Sequence, residues 1–524
     1  MSTSAFAPRA LPRRLGRSAA AGGRIFRQTL GGLLVAAVAA VFVIYLDHHL
    51  NLKGVAAGLV VVGSIWFLTT RNPQLGLALV LLYLGLLDGY LKLATGSTIV
   101  TFVRDAFLFS LAIGLLVRAT VTRQRLPLPP MSGWLVAFTV IVFVEFANPN
   151  AGTLAHSLAG AREQLEFIPL FFLTFVFVRS TRALRTFCIL LAVIAAANGL
   201  VGWVQFGESP TQFAAWGPGY AERVLGTGAF SGAGRNSATS TNGSATRPFG
   251  LGSDAGDGGL FGMVALCGIL VLAAFSQRRR YQLFAVAMAL AAVLGIVTSQ
   301  GRSVVISSVL TVFAFAGLTL TARNRLRSVS GLLLAVAATG LVIAAVVGTA
   351  GSGAFRYSGL APTSILNTTT NARGVSFAAI PQNIATYPFG TGLGSVGPAA
   401  GSAGASQLTS QGNLNAETEF SFLTLETGVP GMLVLSGFVV MLLYVGFTRV
   451  RREPDREARV LLAALIAPLA AIFALFFISA ATPTIPIGPY MYAVGGIISY
   501  WLIVLPADRS RRDRRAELCG VPLN

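Results

Sequence analysis

The sequence predicts an all-α, polytopic integral membrane protein with about fourteen transmembrane helices, and three observations carry that prediction. Of 524 residues, 54% are hydrophobic and only 11% charged, with a mean hydropathy of +0.71. Soluble domains average about a quarter charged residues, so this composition belongs to a chain that is mostly in lipid. Apolar runs long enough, or nearly long enough, to cross a bilayer recur from end to end. Finally, arginines close alternate runs, the charge asymmetry that orients membrane helices.

In chain order the first seven runs are Leu30–Leu46, Gly54–Thr69, Leu75–Leu91, Ile99–Leu116, Trp134–Phe146, Leu165–Val178 and Phe187–Phe206. The second seven are Leu260–Phe275, Leu283–Val297, Val304–Leu320, Leu332–Val347, Phe420–Phe447, Val460–Ile478 and Tyr490–Leu505. The implied organisation is a basic tail (1–29), helices 1–7 (30–206), an outer loop (207–259), helices 8–11 (260–347), a larger outer loop (348–416), helices 12–14 (417–505) and a second basic tail (506–524). "PRRLGR" superficially resembles a twin-arginine signal, but the run after it is long enough to stay in the bilayer, so an uncleaved first helix is expected.

A net charge of +20 invites a nucleic-acid partner, yet the placement of the charges points elsewhere. With both termini cytoplasmic, 29 of the 39 Lys and Arg fall inside and nine outside, while Arg104 lies within the fourth span. The inside connections read "RSTRALR", "QRRR", "ARNRLR", "RVRREPDREAR" and "DRSRRDRR". The charge thus reports topology, and no nucleic-acid partner is expected. The informative basic residues are the outside set: Lys53, Lys92, Arg162, Arg223, Arg235, Arg247, Arg302, Arg356 and Arg373.

Cys188, Cys267 and Cys519 are scattered and give neither a disulfide framework nor a metal motif. His48, His49 and His156 have no second ligand at metal spacing, so neither a metal nor a cofactor is expected. The two long loops are rich in Gly, Ser, Thr, Ala and Asn, a composition that builds no core of its own. Charged and glycine-punctuated patterns return at the loop edges, where function is expected instead. The lack of an internal repeat weighs against transporter folds built from two halves.

Ionisable groups at membrane depth are costly and mark either function or a pairing partner. Arg104 and Asp105, near the outer end of the fourth span, are expected to snorkel or to pair with a neighbouring helix. Arg162 and Glu166 stand at i and i+4, sufficient for a local helix pair, and Asp88 and Glu145 are acids at outer span ends that can partner these arginines. Arg302 lies in a very short polar link between the ninth and tenth spans, which holds its guanidinium at the membrane surface. Arg247 sits similarly before the eighth span, followed by Asp254 and Asp257. A fixed guanidinium forks onto phosphate oxygens and keeps its charge, so Arg302 and Arg247 suggest an anionic lipid headgroup, with interfacial anchoring as the plainer alternative for each.

"TSQGRSVVISSVLTVF", "IPQNIATYPFGTGLGSVG" and "NAETEFSFLTLETGVPGMLVL", in this order with a long outer loop between, resemble the core of the bacterial O-antigen ligase and O-antigen polymerase family. "RPFGLGSDAGDGGLFGM" resembles that family's pre-helix arginine and glycine pattern, and "VRDAFLFSLAIGLLVR" its earlier helix. The resemblance covers Arg247 to Leu443. It implies a membrane glycosyltransferase on the outer face of the bacterial inner membrane, moving glycan from an undecaprenyl-diphosphate carrier to an acceptor sugar hydroxyl without metal or nucleotide sugar. The implied partners are that lipid-linked oligosaccharide, an acceptor glycan, the bilayer and other polysaccharide-assembly proteins.

Under this resemblance Arg302 and Arg247 bind the diphosphate, with Arg104, Asp105, Arg162 and Asp254 in support, and a base must take the acceptor proton. Ligases of the family place a histidine nine residues before the glutamate of the "ETG" element; here that position is Glu417. A carboxylate base, Glu417 or Glu419, is therefore expected, and a polymerase is preferred over a ligase. The alternative for both residues is favourable charge at a helix N-terminus, worth about 0.3 to 1 kcal/mol. Glu426, seven residues after Glu419 on nearly the same helical face, is expected to be structural. The rival readings are a lipid-linked glycan flippase, which should line a central path with charge, and an inactive scaffold.

Overall fold

In the computed structural model the described residues are 53–97, 100–124, 126–225, 237–240, 243–319, 374–397 and 416–518. The expected spans Leu30–Leu46 and Leu332–Val347, both tail ends, most of the larger outer loop, and Arg235, Arg356 and Arg373 lie outside them.

The described chain is helical apart from one short antiparallel hairpin, β1 (Ser237–Ser240) with β2 (Gly243–Thr246). Among the described residues, eight helices are long and apolar enough to cross a membrane: Pro73–Thr95, Thr181–Phe206, Asp257–Phe275, Arg279–Thr298, Arg302–Thr319, Glu419–Arg452, Arg456–Leu475 and Ile487–Arg511. They coincide with the third, seventh to tenth and twelfth to fourteenth runs of the sequence. The protein is therefore a membrane-embedded, multi-pass helical bundle. At the second, fourth, fifth and sixth runs stand Lys53–Thr69, Val100–Val121, Ser132–Val144 and Ile168–Phe177; all but the second of these are short, and that one carries Arg104, Asp105 and Arg118.

We number the helices used below α1 (Pro73–Thr95), α2 (Val100–Val121), α3 (Leu154–Leu165), α4 (Ile168–Phe177), α5 (Thr181–Phe206), α6 (Asp257–Phe275), α7 (Arg279–Thr298), α8 (Arg302–Thr319), α9 (Gly374–Thr386), α10 (Glu419–Arg449), α11 (Arg456–Leu475) and α12 (Ile487–Ile498). Helix α11 is the axis of the bundle, with Leu461 to Leu469 all buried, and α5, α6, α8, α10 and α12 pack around it. Helices α5, α6 and α7 form a tight trio. Gly199 makes their approach possible: a Cβ there would lie 1.9 Å from the Ala291 carbonyl oxygen. Small residues at helix crossings let backbones meet, because lipid gives apolar side chains no reason to prefer one another over acyl tails. The outward faces carry exposed Leu200, Leu283, Leu290, Phe313, Leu433 and Tyr444, as a lipid-facing surface requires.

Three contacts establish which helix ends meet. Thr181 donates to Asp455 Oδ2 at 2.9 Å, joining the starts of α5 and α11. Arg451, just before α11, donates to the Gly317 carbonyl near the end of α8. The Glu419 amide donates to the Phe476 carbonyl at 3.0 Å, joining the start of α10 to the end of α11. Arg302, which opens α8, Glu419, which opens α10, and Glu417, two residues before it, accordingly share one end of the bundle. At the other end Arg185 pairs with Glu457, and Arg509 with Glu453 at 3.1 Å.

Candidate functional site

The shared end is assembled from polar groups on α1, α2, α3 and α5 and from three glycine-rich turns. Two uncharged side chains of α5, Asn198 and Gln205, are seven residues apart and so lie on one face. Gln205 Oε1 accepts from the amides of Phe249 (3.0 Å) and Gly250 (2.8 Å), and its Nε2 donates to the Gly250 carbonyl at 2.9 Å. Asn198 Oδ1 accepts from the Leu251 amide at 2.9 Å while its Nδ2 donates to the Gly85 carbonyl at 2.8 Å. Asp257, the first residue of α6, closes the turn by accepting from the amides of Ser253 (3.0 Å) and Asp254 (2.8 Å). The backbone after Arg247 is thereby fixed.

Arg247 points from that turn to the next one. Its Nη2 lies 3.1 Å from where a Cβ on Gly256 would stand and 3.5 Å from where one on Gly301 would stand. Gly256 has φ of +100°, so a side chain there would be strained as well as crowded. The Arg247 guanidinium is thus packed against the residue that precedes Arg302. Ser299 shapes this second turn, donating to the Ile296 carbonyl at 2.7 Å and accepting from the Gly301 amide at 3.2 Å. Arg302 is partly exposed at the first position of α8.

Arg104, Asp105 and Arg162 come together in one buried ion network. Arg104 donates to Glu166 at 2.5 Å, to Asp88 at 3.1 Å and to Asp105 at 3.4 Å, with its guanidinium 5.2 Å from the Phe167 ring centroid. Arg162 pairs with Asp105 and, at 3.4 Å, with Glu166. Arg104 is only 8% exposed, so this is an inter-helix pairing rather than snorkelling. Asp88 partners Arg104, whereas Glu145 accepts from Asn148 at 2.7 Å. Asp254 stands apart from this network and pairs with Arg223 at 3.5 Å. The network nevertheless abuts the first turn: a Cβ on Gly89, next to Asp88, would lie 2.4 Å from the Gly252 carbonyl carbon.

Helix α10 is broken. Gly428 has φ +65° and ψ −173°, a region open essentially to glycine alone, and separates a buried half-helix (Glu419–Thr427) from the long apolar half. Thr418 caps the half-helix, accepting from the Ser421 amide at 3.2 Å. The third turn, "PFGTGLGSVG", docks against the break: Thr391 donates its amide to the Leu425 carbonyl at 2.6 Å, and Val429 its amide to the Pro388 carbonyl at 3.1 Å. Glu426 accepts from Gln164 at 2.9 Å and from the Gly394 amide at 3.0 Å, so it joins α3, the third turn and α10. His156, on the same α3, holds Thr153 Oγ1 at 2.7 Å.

The two candidate bases occupy different surroundings. Glu419 is fully buried; one carboxylate oxygen accepts from the Ala481 and Thr482 amides and the other from the Thr482 hydroxyl. Those bonds tie the half-helix to the turn after α11. Glu417 is partly exposed, immediately before the cap residue. Glu419 is thus enclosed and fully engaged, whereas Glu417 keeps part of its surface exposed.

The comparisons are silent on relatedness: no protein-family model and no curated protein matches the chain.

Proposed function

We propose that the protein is a membrane glycosyltransferase of polysaccharide assembly, acting on an undecaprenyl-diphosphate-linked glycan at the outer face of the bacterial inner membrane. The observation that carries this reading is the packing of the Arg247 guanidinium against Gly301, beside Arg302, at the bundle end that also bears Glu417. Two guanidiniums at one turn suit two phosphate groups, because each presents a planar fork of donors and stays charged at any working pH.

In the proposed reaction the acceptor hydroxyl oxygen attacks the anomeric carbon of the donor sugar. The bond from that carbon to the diphosphate breaks, and the electron pair leaves with the lipid diphosphate. Arg247 and Arg302 stabilise the departing charge, a contribution that grows in a water-poor site. Glu417 takes the acceptor proton. Glu419 and Glu426 hold the half-helix that positions Glu417. The Arg104 network supports the same end from α1, α2 and α3.

This reading includes fourteen spans with both termini cytoplasmic, supported by the arginine-rich connections at the Asp455 end of the bundle. It prefers a polymerase to a ligase, because the ligase-type histidine position is Glu417. Incubating the purified full-length protein, in lipid nanodiscs, with its lipid-linked oligosaccharide and sizing the products tests the proposal. A ladder on the carrier supports a polymerase, transfer to a different lipid core supports a ligase, and no covalent change overturns the enzyme reading.

A further inference from the structure

Helix α2 runs from the Arg104 network toward the opposite end of the bundle. At a rise of about 1.5 Å per residue, Arg123 stands roughly 28 Å along the axis from Arg104, close to the thickness of a bilayer's hydrocarbon core. Arg118, near the end of α2, donates to the Thr70 carbonyl at 2.6 Å and to the Leu68 carbonyl at 3.4 Å, which joins the end of the helix Lys53–Thr69 to it. Beside this junction lies a groove of about 370 Å³ lined by Leu116, Ala119, Thr120, Arg123, Gln124 and Leu126. Leu116, Thr120, Arg123 and Gln124 are exposed, so the groove opens outward. Ile113 and Val117, also exposed, share a helical face with Leu116 and Thr120 and carry the apolar side of the groove on along α2.

Arg123 holds its place against the preference of the backbone. Its amide donates to the Thr120 carbonyl at 3.1 Å and the Gln124 amide to the Ala119 carbonyl at 2.9 Å, the paired closure that usually puts glycine at the left-handed residue. Here that residue is Arg123, with φ of +51°. Backbone amides already close the end of α2, so the turn needs no guanidinium and a glycine would enter it more easily. The surroundings are uniformly basic: no Asp or Glu occurs between Lys53 and Leu87 or between Ala106 and Val144, while Arg71, next to Thr70, and Arg118 add to the charge of Arg123.

We propose that this groove binds one anionic phospholipid, its phosphate on the Arg123 guanidinium and an acyl chain along Leu116, Val117 and Ile113. The guanidinium forks onto two phosphate oxygens, and Gln124 offers an amide at the same level. A lipid is the occupant, rather than a free anion, because the charged end of the groove continues into an exposed apolar face one bilayer thickness from the Arg104 network. The site stands apart from the reaction proposed at the other end of the bundle, and either can hold without the other.

The test strips the full-length protein of lipid in detergent and titrates it with phosphatidylglycerol or phosphatidylcholine, counting bound lipids by native mass spectrometry. The wild type should bind one phosphatidylglycerol about fivefold or more tightly than phosphatidylcholine, the scale of one arginine at a membrane surface. Arg123→Gly should lose that preference while melting at the same or a higher temperature, because glycine suits the left-handed turn. Arg123→Gln, which keeps a side chain without the charge, should lose it too. Thr120→Phe should fill the groove and weaken phosphatidylglycerol with every charge in place. Arg279→Ala, which removes a charge from another helix at the same end, should leave the preference unchanged. Inorganic phosphate in large excess should not displace the lipid. A wild type without preference, or an Arg123 variant that keeps it, overturns the inference. So does an equal loss in Arg279→Ala, which would show only diffuse attraction to a basic surface, or displacement by phosphate, which would make the groove a plain anion site.

Discussion

Gln164 donates a hydrogen bond to Glu426 at 2.9 Å, across 262 residues of sequence, and through it α3 holds the half-helix that begins at Glu419. Neither residue is exposed to any useful extent. Removing one partner leaves a buried polar group without its bond, so Gln164→Ala and Glu426→Ala should each lower stability by about 1 to 3 kcal/mol. Thermal melts of the two single variants and the double variant should show strong non-additivity, since the second substitution removes the group orphaned by the first. Additive losses would mean that the two residues act separately.

The Arg104 network makes a second prediction. Arg104→Ala leaves Asp88 and Glu166 buried beside one another without their shared guanidinium, and should cost about 3 to 5 kcal/mol. Replacing all three together, Arg104→Met with Asp88→Asn and Glu166→Gln, should recover much of that loss. The amount of folded, monodisperse protein and its melting temperature report both effects. A single variant as stable as the wild type would show that the pairing carries little.

Orientation follows from the distribution of arginine. Cysteines placed at Ser240 and Ala403 should label with an impermeant thiol reagent in intact spheroplasts, and cysteines at Arg279 and Asp455 should label only after lysis. The reverse pattern would invert the bundle.

The eight long helices were legible because hydropathy and helix length are local properties, and a bilayer demands both from each segment alone. Charges were legible as a set for the same reason, and Arg104, Asp105 and Arg162 proved to share one network. What could not be read was pairing at a distance. Glu419 is engaged by a turn more than sixty residues later, and no periodicity signals that. Asn198, Gln205 and Gln164 escaped because a search for ionisable groups passes over uncharged amides, although an amide buried in a helix also needs a partner. Their signal was present: Asn198 and Gln205 stand at i and i+7 in the otherwise apolar run Phe187–Phe206. The break in α10 was likewise foreshadowed by "TGVPG", whose Gly428 and Pro430 interrupt an unbroken hydropathy run.

Glu417 and Glu419 should separate cleanly by readout. Glu417→Gln keeps size and hydrogen bonding but removes the proposed base, so transfer should fall by about 10² to 10⁴ with donor binding and melting temperature little changed. Glu419→Gln introduces an amide whose N–H₂ faces the donors of Ala481 and Thr482, so its main effect should be a lower melting temperature. Near-normal transfer in both variants would make these carboxylates helix-end charges and move the search to Asp254, Asp257 and His156.

We propose that Arg302, beside Arg247, holds the carrier diphosphate as it departs, and single-turnover glycan transfer from the lipid-linked donor by Arg302 variants that insert normally tests this. Arg302→Ala should reduce transfer by about 10² to 10³, the scale of losing one positioned donor to developing charge. Arg302→Lys should remain substantially impaired, because it keeps the charge and loses the fork. Full transfer by Arg302→Ala would remove Arg302 from the mechanism.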